Sequence, residues 1–149
     1  MVATLADKSP ADLIADYLDS KGNVFGGSTG WAFSVGFLPD GPDQVVAILD
    51  ASGPSGFPTI SIDFPGIQVI VRGSAGGEEY KDSWLKVKQV KDYLLGMPNA
   101  PAQFPELWGC VERGQPIPIG ADDKNRPRWS YNLMLTVGPN TTNTNRISA

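Results

Sequence analysis

Pro65-Gly66-Ile67-Gln68-Val69-Ile70-Val71-Arg72-Gly73 reads as turn, buried strand, turn. Ile67 to Val71 is an apolar run broken only by Gln68, the pattern of a central strand covered on both faces. Gly73 to Gly77 then breaks the chain, and a long amphipathic helix follows. Glu78 and Glu79 fall in its first turn, where negative charge suits the helix dipole. Tyr80, Trp84, Val87, Val90, Tyr93 and Leu94 make one apolar stripe, while Lys81, Lys86, Lys88 and Lys91 decorate the rest. Gly96 and Pro98 end it. This best-formed part of the chain holds almost no chemistry. It points away from an enzyme and toward a protein that works by fitting against other proteins.

Upstream, Ser9-Pro10-Ala11-Asp12 is a helix start: Ser9 can cap, Pro10 suits the first helical position and Asp12 complements the dipole. Leu13, Ile14, Tyr17 and Leu18 form its apolar stripe, and Gly22 is its stop. Asp12, Asp16 and Asp19 make an acidic outer face, either a contact for a basic partner or a solvated surface. Trp31 to Leu38 and Gln44 to Leu49 read as strands joined by the turn Pro39-Asp40-Gly41-Pro42, hence as a hairpin. Asp50 to Pro58 is a Gly/Pro/Ser loop carrying Phe57, and Thr59 to Phe64 (TISIDF) alternates as a short strand. Downstream, Leu107 to Arg113 reads as a strand, and Pro116 and Pro118 make Ile117 part of an edge strand or extended arm. Asp122 to Asn125 is a turn before the alternating strand Arg128 to Val137. Residues 1–137 are expected to form a single domain, with 138–149 a polar, flexible C-terminal tail.

The chain has 149 residues, enough for one sizeable core, and a net charge of −4. Nothing in it resembles the clustered Lys and Arg that grip phosphate backbones. No apolar run approaches the roughly 20 residues of a membrane span, and the start lacks a secretory pattern. No membrane partner is expected. The one cysteine, Cys110, excludes an intrachain disulfide and suits a reducing compartment.

Histidine is absent, which removes the commonest general base and the commonest metal ligand together. Cys110 then has no activating partner and reads as a small buried hydrophobe. Asp122 and Asp123 can chelate a hard cation from a turn, but the further oxygen ligands of a calcium loop are missing. No metal and no cofactor are expected. Asp40, Asp43 and Asp50 read as turn chemistry. Gly26-Gly27-Ser28-Thr29-Gly30 lacks the Gly-Lys-Ser/Thr ending of a phosphate loop. Trp31, Trp84, Trp108 and Trp129 can serve as stacking platforms, but each reads better as a core residue.

Taken together, the PGIQVIVRG strand, the helix opening with Glu78-Glu79-Tyr80 and the late segment Gly120 to Asn132 (GADDKNRPRWSYN) resemble the minor capsid or tail-terminator proteins of long-tailed bacteriophages. The resemblance runs from about residue 9 to residue 137. It implies an α+β fold in which a mixed, mainly antiparallel sheet is packed by two helices. It also implies a structural virion protein, made in the host bacterial cytoplasm and located at the head–tail junction. Such a protein forms a ring, typically a homohexamer, caps the tail tube, stops its growth and joins the head connector. Its partners are itself, the tail tube protein and the connector protein, with DNA passing through the lumen without specific binding. No catalysis belongs to that role.

A ring needs heterologous contacts, and the loops at 22–30, 50–58 and 98–105 suit them. Arg72, Asp122, Asp123, Arg126 and Arg128 are the candidate subunit-interface residues, since arginine suits interface ion pairs; the competing reading is pairing within the subunit. A head-completion or connector protein at the same junction is a sibling reading. A small monomeric ligand-binding domain built on the Gly26–Gly30 loop is a reading from another class.

Overall fold

The computed structural model describes residues 8–57, 59–60, 62–98, 101 and 103–138. The chain order is α1 (Pro10–Asp19), β1 (Ala32–Val35), β2 (Val45–Ala51), β3 (Gly66–Arg72), α2 (Gly77–Leu95), β4 (Leu107–Glu112), β5 (Ile117–Ala121) and β6 (Pro127–Val137). The strands form one six-stranded open sheet in the order β1-β2-β3-β6-β4, with β5 also pairing β6. One pairing is parallel and the rest are antiparallel. This is the expected α+β fold with a mixed, mainly antiparallel sheet and two helices.

β3 is central, as its apolar run predicts. It pairs with β2 along seven positions and with β6 along seven more. Ile67, Val69 and Val71 point to one face, where they meet Ile14 and Leu18 of α1, Val87, Val90 and Leu94 of α2, and Tyr131, Leu133 and Leu135 of β6. Fully burying each such aliphatic side chain contributes ~1.5–3 kcal/mol. Both helices lie on this one face. The opposite face of β3 carries Gln68, whose amide donates to Ser130 Oγ at 3.0 Å, so the expectation of cover on both faces is corrected. A polar residue inside the run marks the open face.

α1 begins as expected, with Ser9 Oγ accepting from the Asp12 N–H and Pro10 as the first helical residue. A second anchor comes from the sheet: the Ala11 N–H donates to Asp50 Oδ1 at 2.9 Å. Asp50 therefore satisfies an orphan donor of the helix start rather than shaping a turn.

The expected hairpin at Trp31–Leu49 is not formed: β1 runs parallel to β2, with Ala32 beside Val45 and Val35 beside Ile48. Because β1 spans four residues, about 13 Å, the short segment 36–44 is long enough to return and restart in the same direction. The TISIDF strand is corrected too. Among its described residues only Asp63 and Ile60 make isolated bridges, and Asp63 exchanges both backbone hydrogen bonds with Val137. That segment is committed instead to close loop packing. A Cβ on Gly53 would stand 1.9 Å from the Phe64 carbonyl oxygen, and one on Gly66 2.5 Å from that of Ser52. β4, β5 and β6 form where expected. β5 is an exposed edge strand that follows Pro116 and carries Pro118. Residues 139–149 of the expected tail, and 99, 100 and 102 of the 98–105 loop, lie outside the described residues.

Candidate functional site

Arg72 closes β3 on its open face and is only 2% exposed. Its guanidinium donates to three backbone carbonyls of the β1–β2 return: Pro39 at 2.6 Å, Pro42 at 2.8 Å and Asp43 at 3.1 Å. Burial pulls its pKa below the ordinary arginine value, and neighbouring Arg126 adds to the effect. Arg126, also buried, enters the same return from the β5–β6 turn. It donates to Asp122 Oδ2 at 2.8 Å, the Asp40 carbonyl at 2.6 Å and Asp43 Oδ1 at 3.1 Å. The turn itself is shaped by Asp122, whose Oδ1 accepts from the backbone N–H groups of Lys124 and Arg126, while Asn125 takes a left-handed φ of 59°.

The electrostatics follow from these bonds. Burial alone would raise the Asp122 carboxyl, but the backbone and side-chain hydrogen bonds of Arg126 prevail and bring it down to about 2. The bond to Asp122 in turn raises Arg126 above the ordinary arginine value. Lys124 holds Asp40 below the usual carboxylate range through a 2.7 Å contact.

Of the five candidate interface residues, the fold thus brings Arg72, Arg126 and Asp122 together in one clamp inside the subunit. Asp123 is exposed beside it. Arg128 projects from β6 on the open face and donates to the Gly120 carbonyl at 3.2 Å, without an ion pair among the described residues. Asp122 offers little to a cation, because its carboxylate is already occupied by N–H donors. Among the described residues no group of three or more His, Cys, Asp or Glu is placed to hold a metal ion. Also among them, no helix is long and apolar enough to cross a membrane.

Cys110 packs half-buried against the core, and burial pushes its thiol up to about 12. Gly26 to Gly30 folds on itself: Thr29 Oγ1 donates to the Gly26 carbonyl and accepts from the Trp31 N–H. Beside it lies an open cleft of about 490 Å³ lined by Phe25, Trp31, Phe33 and Pro42, with Asp19 at its rim.

The tryptophans divide. Trp31 and Trp129 are buried, and Trp129 Nε1 donates to Ser83 Oγ at 2.9 Å. Trp84 and Tyr80 are exposed and lean on Trp129 from outside, with ring centroids 5.4 and 5.3 Å away. The α2 stripe is therefore shifted from the expected one: Ser83, Lys86, Val87, Val90 and Leu94 face the core. Lys86, expected on the surface, is buried with its ammonium on the Val24 carbonyl (2.8 Å) and Gln89 Oε1 (2.7 Å).

Sequence reasoning missed the large apolar side chains exposed at both edges of the sheet. Phe33 and Phe37 stand at the β1 edge, and Ile117 and Ile119 at the β5 edge. The signal for the second pair was present, since alternating prolines imply an edge whose isoleucines have no facing strand. These edges can seat protein surfaces.

A family model described as bacteriophage tail terminator protein matches residues 17–138 of the chain. That range takes in α2 and all six strands. No curated individual protein matches the chain.

Proposed function

The chain belongs to the bacteriophage tail terminator protein family, and from that premise we propose that it forms a ring at the head-proximal end of the phage tail tube. As a member it is a structural protein of the phage tail, and its place is the virion. In our reading the ring, a homohexamer, stops tube growth and presents the surface that receives the head connector. The subunits assemble in the host cytoplasm, with residues 1–137 acting as one unit.

The observation that carries this reading is the family match across the whole sheet, 17–138. The exposed apolar edges support it, because a ring needs two different faces on each subunit. The double-arginine clamp supports it as well, by tying down the β1–β2 return next to one of those edges. The net charge of −4 suits a lumen along which DNA slides without sticking; a lumen lined by Lys and Arg would contradict that element. The role involves no catalysis and no cofactor.

The test is mass analysis in solution, alone and with purified tail tubes, read by light scattering and electron microscopy. Rings, or particles bound at one end of each tube, are expected. A monomer that leaves both tube ends bare refutes the reading. Binding to the head connector without any effect on tube length turns it into a head-completion role.

A further inference from the structure

We propose that a cleft between α2 and the Gly26–Trp31 loop takes a carboxylate, presented by an acidic side chain of another protein, with Lys86 and Gln44 as its donors. The site does not depend on ring formation. The cleft is open, of about 510 Å³, and is lined by Thr29, Trp31 and Gln44 and, from α2, by Asp82, Lys86 and Gln89. Lys86 comes to it from the core side of α2 and is only 7% exposed. Lysine is rarely buried to that degree without an opposite charge. Its ammonium donates to the Val24 carbonyl and to Gln89 Oε1, and stands 5.4 Å from the centre of the Trp31 ring. All three partners are neutral. Among the described residues no carboxylate forms an ion pair with it.

Donors are left over on both sides of the cleft. An ammonium carries three N–H donors, and Lys86 has two oxygen acceptors among the described residues. Gln44 is half-buried, and its side-chain amide makes no hydrogen bond among the described residues. A carboxylate has two oxygens, one for the ammonium and one for the amide N–H. It also supplies the charge that Lys86 lacks, and a charge-assisted hydrogen bond is roughly twice as strong as a neutral one.

The remaining lining selects the ligand. Asp82 is exposed, lines the same cleft one helical turn from Lys86 and makes no ion pair among the described residues. It repels an entering anion, a doubly charged phosphate more than a singly charged carboxylate. One ammonium and one amide are too few anchors to hold a free small acid firmly. An acidic side chain carried on a protein surface brings further contact around the cleft, where Leu85 is 48% exposed.

The experiment follows the Lys86 side-chain nitrogen by NMR in the full-length protein while sodium acetate replaces sodium chloride at constant ionic strength. The titration is repeated with N-acetyl-glutamate N-methylamide, a side-chain carboxylate on a peptide backbone. Both should move the signal saturably, with half-saturation at roughly 10 mM, and the blocked glutamate should bind at least as tightly as acetate. Asp82→Asn should tighten both about 2- to 5-fold, and Gln44→Ala should weaken both about 3- to 10-fold. Lys86→Met, first checked for a wild-type melting curve, should abolish the response of the Gln44 amide signal. If that variant does not fold, the wild-type titration and the other two variants decide alone. Binding of acetate without binding of the blocked glutamate would overturn the protein-borne source in favour of a free small acid. A drift that does not saturate, or an affinity that neither Gln44→Ala nor Asp82→Asn changes, would overturn the site itself. A Lys86 signal that ignores acetate but moves on Asp82→Asn alone would overturn it too, since Asp82 would then be the counter-charge.

Discussion

Replacing Arg72 by methionine tests whether the clamp holds the fold's one parallel joint. The guanidinium makes three hydrogen bonds to carbonyls of the β1–β2 return. A hydrogen bond to a charged group contributes ~1.5–3 kcal/mol net, so simple summation would suggest roughly 5–9 kcal/mol. Two effects reduce that. The residues bearing the carbonyls are exposed or half-buried, so water replaces part of what is lost. Methionine also keeps the apolar stem packed, and removing one cation relieves the repulsion between Arg72 and Arg126. We expect a loss of about 2–4 kcal/mol, a melting temperature lower by roughly 5–15 °C for a chain of this size. Urea titration supplies the free energy, and amide exchange locates it in the β1–β2 return. Arg72→Lys keeps the charge, but a single ammonium cannot fork to three carbonyls, so it should recover less than half. A loss below about 1 kcal/mol, or full recovery by lysine, would refute the clamp as a stabilising device.

Three further outcomes are expected. The Asp122 carboxyl titrates at about 2 in the folded chain, below its unfolded value of about 3.9. Its contribution is thus complete above the ordinary carboxylate range and fades as pH falls from about 4 toward 2. The stability gap between wild type and Asp122→Asn should be flat near neutrality and close in that window, as followed by urea titrations across pH. Gly53→Ala places a Cβ 1.9 Å from a backbone oxygen and should cost about 1–3 kcal/mol or more. Gly27→Ala, with nothing within 4 Å, should stay within about 0.5 kcal/mol in the same melts. The Cys110 thiol, pushed up to about 12, should resist iodoacetamide at pH 8 until the chain unfolds, which mass spectrometry reads directly.

What was legible in the sequence follows from how local each cause is. β3 and β6 carry their own pattern, and α1 carries its cap, so period and capping chemistry sufficed for them. The direction of β1 was not legible. Pro39-Asp40-Gly41-Pro42 has the composition of a hairpin turn, and what makes it a return is Arg72 and Arg126, at least 29 residues away in the chain. Tertiary contacts of that kind leave no local trace. TISIDF alternates like a strand, but its described residues Ile62, Asp63 and Phe64 lie close against Gly53 and Gly56 of the preceding loop. On α2 the stripe was misplaced because Lys86 looks like surface; its burial depends on the Val24 carbonyl and Gln89. The candidate interface residues were legible as charged groups at strand ends and turns, of which the fold brings Arg72, Arg126 and Asp122 together. That Arg72 and Arg126 spend their donors inside the subunit was legible only in three dimensions.

β6 has a mechanical consequence. It is the longest strand, paired with β3 at seven positions on one side and with β4 and β5 on the other. A pull along the strand axis loads those rungs in shear, so they must rupture together. A pull from one sheet edge toward the other opens them singly, like a zipper. The subunit is therefore stiff in one direction and yielding in the perpendicular one. In any assembly that carries load, strength depends on which way the strands are aimed.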